Sequence, residues 1–501
     1  MKALDEFEIW FVTGSQGMYG EEILAQVRVH AREIAEHLTN SDNIPVRVVG
    51  RQVVTTPEEI ERVCLEANAA PECVGVVAWM HTFSPAKMWI AGMLALGKPL
   101  LHLHTQANRD LPWGEIDMDF MNLNQAAHGD REFAYILSRL RVTRTVVVGH
   151  WQDPAVTDRI ATWARAAAAR QELKRLKVAR FGDNMRHVAV TEGDKVEAQT
   201  KLGVSVNTYG LTDLSNAMTE VSEGEIDRTV GEYDDLYLVS SDLGKDGDRR
   251  ASLRYAARIE VALRSLLEAG GFMAFTDTFE DLGGLEQLPG IAVQRLMADG
   301  YGFGAEGDWK TATLVRAMKV LTAGLAGGTS FMEDYTYHLG DPAPRVLGAH
   351  MLEVCPSIAG DVPSCEIHPL SIGGKGDPVR LVFTARPGPG IVVGLIDLGN
   401  RFRLVANEVE LVEPNGPMPK LPVARAVWEP QPDFRTAVSG WLLAGGSHHT
   451  SLSVGVGFEP LVDLAEMLGI ELVAIGAGSS LEQLKNEMRW NRLFYGLVDG
   501  L

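Results

Sequence analysis

At 501 residues the chain exceeds what one hydrophobic core organises, and at roughly 100–200 residues per domain it corresponds to about three domains. Its composition, 46% hydrophobic and 22% charged, is that of a globular protein. The 66 acidic residues against 46 basic ones give a formal charge of -20, a field that repels phosphate backbones and anionic lipid, so nucleic-acid and membrane-surface partners are excluded while neutral ligands are not.

The first residues, MKALDEFEIWFVTGSQ, are acidic where an export signal needs a basic and then an apolar region. From Phe7 to His150, EIWFV, PVRVVG, CVGVVAWM, PLLHLHT and TVVVGHW read as strands, with helices at Glu21–Leu38, TPEEIERVCLEA and SPAKMWIAGMLAL between them. Continuous apolar strands separated by amphipathic helices predict a parallel sheet covered on both faces. An Ala-rich helix from Pro154 to Leu176, charged on one side, is expected to join domains. A second alternating set opens with KVARFGD at 177–183 and continues through helical stretches at 211–235 and 249–269 and the strand FMAFTDT.

Past His350 the character changes to short β runs punctuated by Gly and Pro: PVRLVFTA, GIVVGLIDLG, RFRLVANEVELVE and ARAVWEP. Such spacing predicts an antiparallel sheet or small barrel. The helices FEPLVDLAEMLG and SLEQLKNEMRWNRLFYG close the chain around the strand ELVAIG. The expected class is α/β, with two doubly wound parallel-sheet domains at 1–175 and 176–326. A mainly antiparallel, barrel-like domain with closing helices is expected at 327–501. No uninterrupted run of about 18 apolar residues occurs, so no membrane span is expected. Cys64, Cys73, Cys355 and Cys365 form no C-x-x-C pair, which fits reduced thiols in a cytoplasmic protein.

Chemistry-bearing residues concentrate between Tyr301 and His350. Glu306, in GFGAEGDWK, is either a functional carboxylate or a cap for the helix starting near Trp309. Glu333 lies beside Asp334 among aromatics, where an unpaired buried acid is costly. His350 follows the apolar run RVLGA, where a lone histidine is more often a satisfied core residue than a ligand. The adjacent pair His448 and His449 sits in the tight turn GGSHHT, and neighbours on an extended chain face opposite ways, so only one of them is expected to ligate a metal. Two carboxylates and two imidazoles suit an octahedral divalent ion such as Mn²⁺ with positions left open. The turn GSQGMYG is not G-x-G-x-x-G and the second strand ends in Gly50 and Arg51, which disfavours a dinucleotide. GAGSSLE at 476–482 reads as an ordinary strand-to-helix turn.

The segments GAEGDWKTA, GTSFMEDYTYH, GAHMLEVCPSIA, IHPLSIGGKGDPVRLVF and GGSHHT, with GSQGMYG, MNLNQAAHG and VVVGHWQD upstream, resemble the L-arabinose isomerase family in order along nearly the whole chain. The resemblance implies an aldose–ketose isomerase acting on L-arabinose, with D-galactose to D-tagatose as a side activity. It implies one Mn²⁺ per subunit, with Co²⁺ or Mg²⁺ as substitutes, held by Glu306, Glu333, His350 and His449. Glu306 and Glu333 are the implied acid/base pair for a cis-enediol route. Implied sugar contacts are Gln16, Met18, Met185, Phe279, His448, His128 and Ile372. A homo-oligomer, hexamer or tetramer, is implied, with the Gln16 turn reaching a neighbouring subunit's site. Where the family usually has His and Leu in that turn, this chain has Gly17 and Met18; Ser371 and Gly376 also depart from the usual pattern. Two α/β lobes would also suit a hinged sugar-binding protein, and two Glu with two His a metal-dependent aldolase or epimerase.

Overall fold

The computed structural model describes residues 2–280, 282–370 and 374–498. Its contacts divide the chain into two compact units, Met1–Gln171 with Glu459–Met467, and Glu172–Phe458 with Leu468–Leu501.

The first unit holds a five-stranded, all-parallel sheet in the order Arg47–Gly50, Glu8–Gly14, Cys73–Met80, Leu100–His104, Thr145–Val148. Its central strand, CVGVVAWM, is buried along its whole length, as a strand covered on both faces must be. The helix Gly20–Asn40 buries Leu24, Val27, Ala31, Ile34, Ala35 and Leu38, one stripe at helical spacing. Thr56 caps the helix Pro57–Ala69 by accepting from the Glu59 amide, with Pro57 at its first position. The helix Glu459–Leu468 also belongs to this unit. Arg159 grips its Asp463 through two nitrogens at 2.6 and 2.7 Å, and the Thr145 hydroxyl donates to the same carboxylate at 2.9 Å.

The Ala-rich helix runs from Pro154 to Arg175. It runs across the boundary between the two units, as expected of a helix joining domains, and Trp163, Ala164 and Ala166 to Ala169 in its middle are fully buried.

The second unit combines two sheets. A parallel sheet runs Gly302–Gly304, Ala274–Asp277, Lys177–Phe181, Ser205–Tyr209. The other is antiparallel and runs Gly388–Asp397, His449–Val454, Thr329–His338, Arg345–Ala349, Arg425–Pro430, Phe402–Leu411. The last strand pairs back onto the first over its full length, closing the barrel, and Glu471–Ile475 adds to its outside in parallel. The expected class therefore holds: two parallel-sheet regions, then an antiparallel barrel with helices. One strand sits elsewhere than its β-rich surroundings suggest. Val379–Val382 pairs with Ser364–Ile367 and Leu238–Val239 in a small separate sheet.

Gly348, on the strand leading to His350, lies beneath the buried Trp428 ring. A Cβ there would stand 2.1 Å from Trp428 Cζ3. Gly348→Ala is expected to destabilise the barrel by about 1–3 kcal/mol through overpacking, read as a lower melting temperature with unchanged far-ultraviolet circular dichroism.

Candidate active site

Glu306, Glu333, His350 and His449 come from separate segments of the second unit. Glu306 follows the strand Gly302–Gly304 and precedes the helix Trp309–Leu321. That helix is capped by Asp308, whose carboxylate accepts from the Lys310 and Thr311 amides, so Glu306 is not its cap. Glu306 adopts a left-handed backbone conformation, φ 63°, which costs a non-glycine residue about 1–2 kcal/mol. Glu333 lies on Thr329–His338, paired directly with Ala349 on one side and His449 on the other. His350 follows Ala349, and His449 begins its own strand. Barrel register thus places Glu333, His350 and His449 at one rim.

The ligand-type atoms stand close together without bonding one another. His449 Nε2 is 3.7 Å from Glu306 Oε2, and His350 Nε2 is 3.7 Å from Glu333 Oε2. These are too long for hydrogen bonds. One ligating atom each from Glu306, His350 and His449 lies within 4.8 Å of the others. Both Nε2 atoms are buried without a hydrogen-bond partner, which is costly unless something else satisfies them. Phe331 stands edge-on to both rings, with centroids 5.0 and 5.3 Å away.

The other ring nitrogens are engaged. His350 Nδ1 bonds the Glu353 carboxylate, which also accepts from the Leu352 amide at 3.0 Å. His449 Nδ1 lies 3.2 Å from Asp308 Oδ2. Asp308 in turn accepts from the Thr311 hydroxyl at 2.8 Å and faces Lys310 Nζ at 3.3 Å, while Lys310 donates to the Val190 and Glu192 carbonyls at 2.8 and 2.6 Å. A carboxylate on Nδ1 fixes the tautomer that leaves a lone pair on Nε2, the arrangement of histidines that bind metals. The triad of Glu306, His350 and His449, with its two orphaned nitrogens, is a possible site for a divalent cation, and Glu333 stands 3.7 Å from His350 Nε2.

The surrounding carboxylates make this a place that favours positive charge, on a protonated His350 as on a bound cation. Burial lowers the His350 imidazole, but Glu353, with Glu333 and Glu306 beyond it, lifts it to about 9. Burial raises Asp308, but Lys310 and His449 hold it at about 2, an anion. Burial raises Glu333. His448 is lowered to about 4, first by burial and then by its neighbour His449, so it is neutral at physiological pH.

Among the implied sugar contacts, Met185 is half-buried and its amide donates to the Glu306 carbonyl at 3.0 Å. Phe279 packs against the cluster that contains Phe331 and Leu352. The His448 ring stands 4.4 Å from that of His449. Gln16, Met18 and His128 lie in the first unit. There Met18 is 81% exposed, His128 is exposed beside Phe83, and the Gln16 turn approaches the His128 helix through Tyr19 and Gln125. Ile372 lies outside the described residues. Asp308 and Glu353 were not singled out in the sequence. Their only signal was an acid two residues after Glu306 and another three after His350.

Comparison with known proteins covers the whole chain. Models of the L-arabinose isomerase N-terminal, central and C-terminal domains match residues 3–175, 177–324 and 328–471. An L-arabinose isomerase from a Nocardioides species is 62% identical over 99% of both chains. Those of Herpetosiphon aurantiacus and Mycolicibacterium smegmatis are 59% identical over 100% of both chains, and 60% identical over 99% of this chain and 98% of the relative.

With Mn²⁺ as the probe ion, Asp308→Asn and Glu353→Gln are each expected to weaken binding by about 10–100-fold, because each frees a ligand ring to rotate and lowers its basicity. Electron paramagnetic resonance of unbound Mn²⁺ measures this directly, and affinity equal to that of the unaltered protein would contradict the assigned support.

Proposed function

The chain belongs to the L-arabinose isomerase family and is an isomerase, and on that footing we propose that it interconverts L-arabinose and L-ribulose, with D-galactose to D-tagatose as a side activity. The observation that carries the reading is the pair of buried, unpartnered Nε2 atoms of His350 and His449 facing the carboxylates of Glu306 and Glu333.

In this reading Glu306, Glu333, His350 and His449 hold a divalent cation, Mn²⁺ by preference, whose chemistry when bound is to polarise the oxygens on C1 and C2 of the aldose. The carbon-bound proton at C2 is weakly acidic, so a base must stand beside it and a second group must handle the hydroxyl proton. Glu306 and Glu333 supply these two functions through a cis-enediol, one exchanging the carbon-bound proton and the other the oxygen-bound one. Both are partly exposed, at 13% and 21% of side-chain area, whereas the two histidines are sealed; the carboxylates are therefore the members of the set that a sugar reaches.

Neutral His448 presents hydrogen-bonding nitrogens to sugar hydroxyls without repelling the cation. Met185 and Phe279 form the wall, to which the resemblance also assigns Ile372. Gln16, Met18 and His128 serve the site of a neighbouring copy in a homo-oligomer, a hexamer or tetramer. No helix among the described residues is long and apolar enough to cross a membrane, and we place the enzyme in the cytoplasm.

Purified protein with Mn²⁺ and L-arabinose is expected to yield ketose, and chelation to abolish the yield until Mn²⁺ is restored. Glu306→Gln and Glu333→Gln are each expected to lower kcat by about 10²–10⁴-fold, the usual worth of a positioned acid or base, with melting temperature retained. No product, a second aldose or cleavage fragments would instead indicate a binding protein, an epimerase or an aldolase.

A further inference from the structure

We propose that Asn184 is a positioning residue that locks Glu306 in the left-handed turn from which its carboxylate reaches the site. The proposal rests on Glu306 being a ligand, as inferred above. It concerns how the chain holds that residue in a conformation it would otherwise leave.

Inside the turn the Trp309 amide donates to the Gly307 carbonyl at 2.9 Å, so Asn184 is that carbonyl's second donor. Ala305 accepts from the Asp308 amide at 2.9 Å, and the Gly307 amide donates outward to the Asp277 carbonyl at 2.9 Å. The carbonyls of Glu306 and Gly307 both point at a second segment, Asp183 to Met185, and are gripped by consecutive residues there. The Met185 amide donates to Glu306 O at 3.0 Å, and Asn184 Nδ2 donates to Gly307 O at 3.2 Å. The two backbones are in direct contact: a Cβ on Gly307, at φ 79°, would stand 2.6 Å from both Asn184 Cα and Asp183 O. Only glycine allows this approach, which sets the carbonyls within reach of their donors.

Asn184 suits the role because its amide is fully committed. It is 8% exposed. Its second Nδ2 proton goes to the Thr191 carbonyl, and its Oδ1 accepts from Arg180 Nη1. Arg180 is itself fixed, with Nε donating to Thr208 Oγ1 at 3.2 Å and Nη1 lying 2.9 Å from Asp183. With acceptor and both donors engaged, the amide can neither flip nor swing, and it transmits the rigidity of the strand Lys177–Phe181 to the peptide after Glu306. Without it, that peptide loses a restraint opposing its return to an ordinary conformation, and the carboxylate moves with it.

Asn184→Asp is the sharp test. It keeps shape and the Arg180 contact but turns two donors into acceptors facing two carbonyls. Asn184→Ala removes the amide altogether. Mn²⁺ affinity, measured with the metal alone, is expected to fall about tenfold in both, as for other residues that orient metal ligands. The kcat with L-arabinose should fall similarly while KM changes little. In a Glu306→Ala background the Asn184→Asp loss of Mn²⁺ affinity should vanish, since Asn184 acts through Glu306. Unchanged affinity in the single variants overturns the proposal. The same loss in the Glu306→Ala background also overturns it, because Asn184 would then merely stabilise the fold. Absence of ketose from the unaltered protein would refute the isomerase reading and leave the Mn²⁺ comparison to decide Asn184 separately.

Discussion

Two carboxylate–imidazole bonds, Glu353 to His350 and Asp308 to His449, are the interactions on which the site depends. A buried imidazole with no partner on Nδ1 is free to rotate and to choose either tautomer; with a carboxylate there it presents Nε2 and nothing else. The Phe331 ring, edge-on to both imidazoles, blocks the remaining rotation. The supporting acids need support in turn. Lys310 and Thr311 hold Asp308, and two carbonyls at 190 and 192 take up the other Lys310 protons. Every member of this network is satisfied, apart from the two nitrogens left facing the centre.

Two architectures meet at that centre within one unit. Glu306 comes from the carboxyl end of a parallel sheet, where open α/β sheets present their ligands, and Glu333, His350 and His449 come from the rim of a closed barrel. Barrel closure matters because register has no freedom to slip. A shift of one residue along Thr329–His338 would turn Glu333 to the opposite face and leave the histidines facing a methionine or an aspartate. The parallel part is held to the barrel by aromatic packing, with Phe303 edge-on to Phe331 at 5.7 Å. The turn carrying Glu306 at positive φ is gripped from Asn184 and Met185 rather than from the barrel.

The order of strands and helices, the change from parallel to antiparallel sheet after the central region, and the helix cap at Thr56 follow from local pattern, whereas the stretch expected as one helix over 211–235 is two, Leu211–Glu220 and Glu223–Leu236, the second capped by Ser222. Apolar period and turn residues act over a few positions, so they are visible in a linear reading. Even the family resemblance rests on such stretches: GAEGDWKTA, GTSFMEDYTYH and GGSHHT are each contiguous. Glu306, Glu333, His350 and His449 were nameable as candidates on that basis.

What the tertiary structure alone decided is which atoms face each other. That Asp308 rather than Glu306 caps the helix, that Glu353 and Asp308 back the two histidines, and that Asn184 grips a carbonyl more than a hundred residues away all depend on register and backbone approach between elements distant in sequence. Likewise, that the middle of the alanine-rich helix, 163–169, is continuously buried was not visible in its pattern of charges. Local propensity specifies the elements because their hydrogen bonds span a few residues; the chemistry of the site is specified by contacts whose partners only the closed barrel and its adjoining sheet bring within 4 Å.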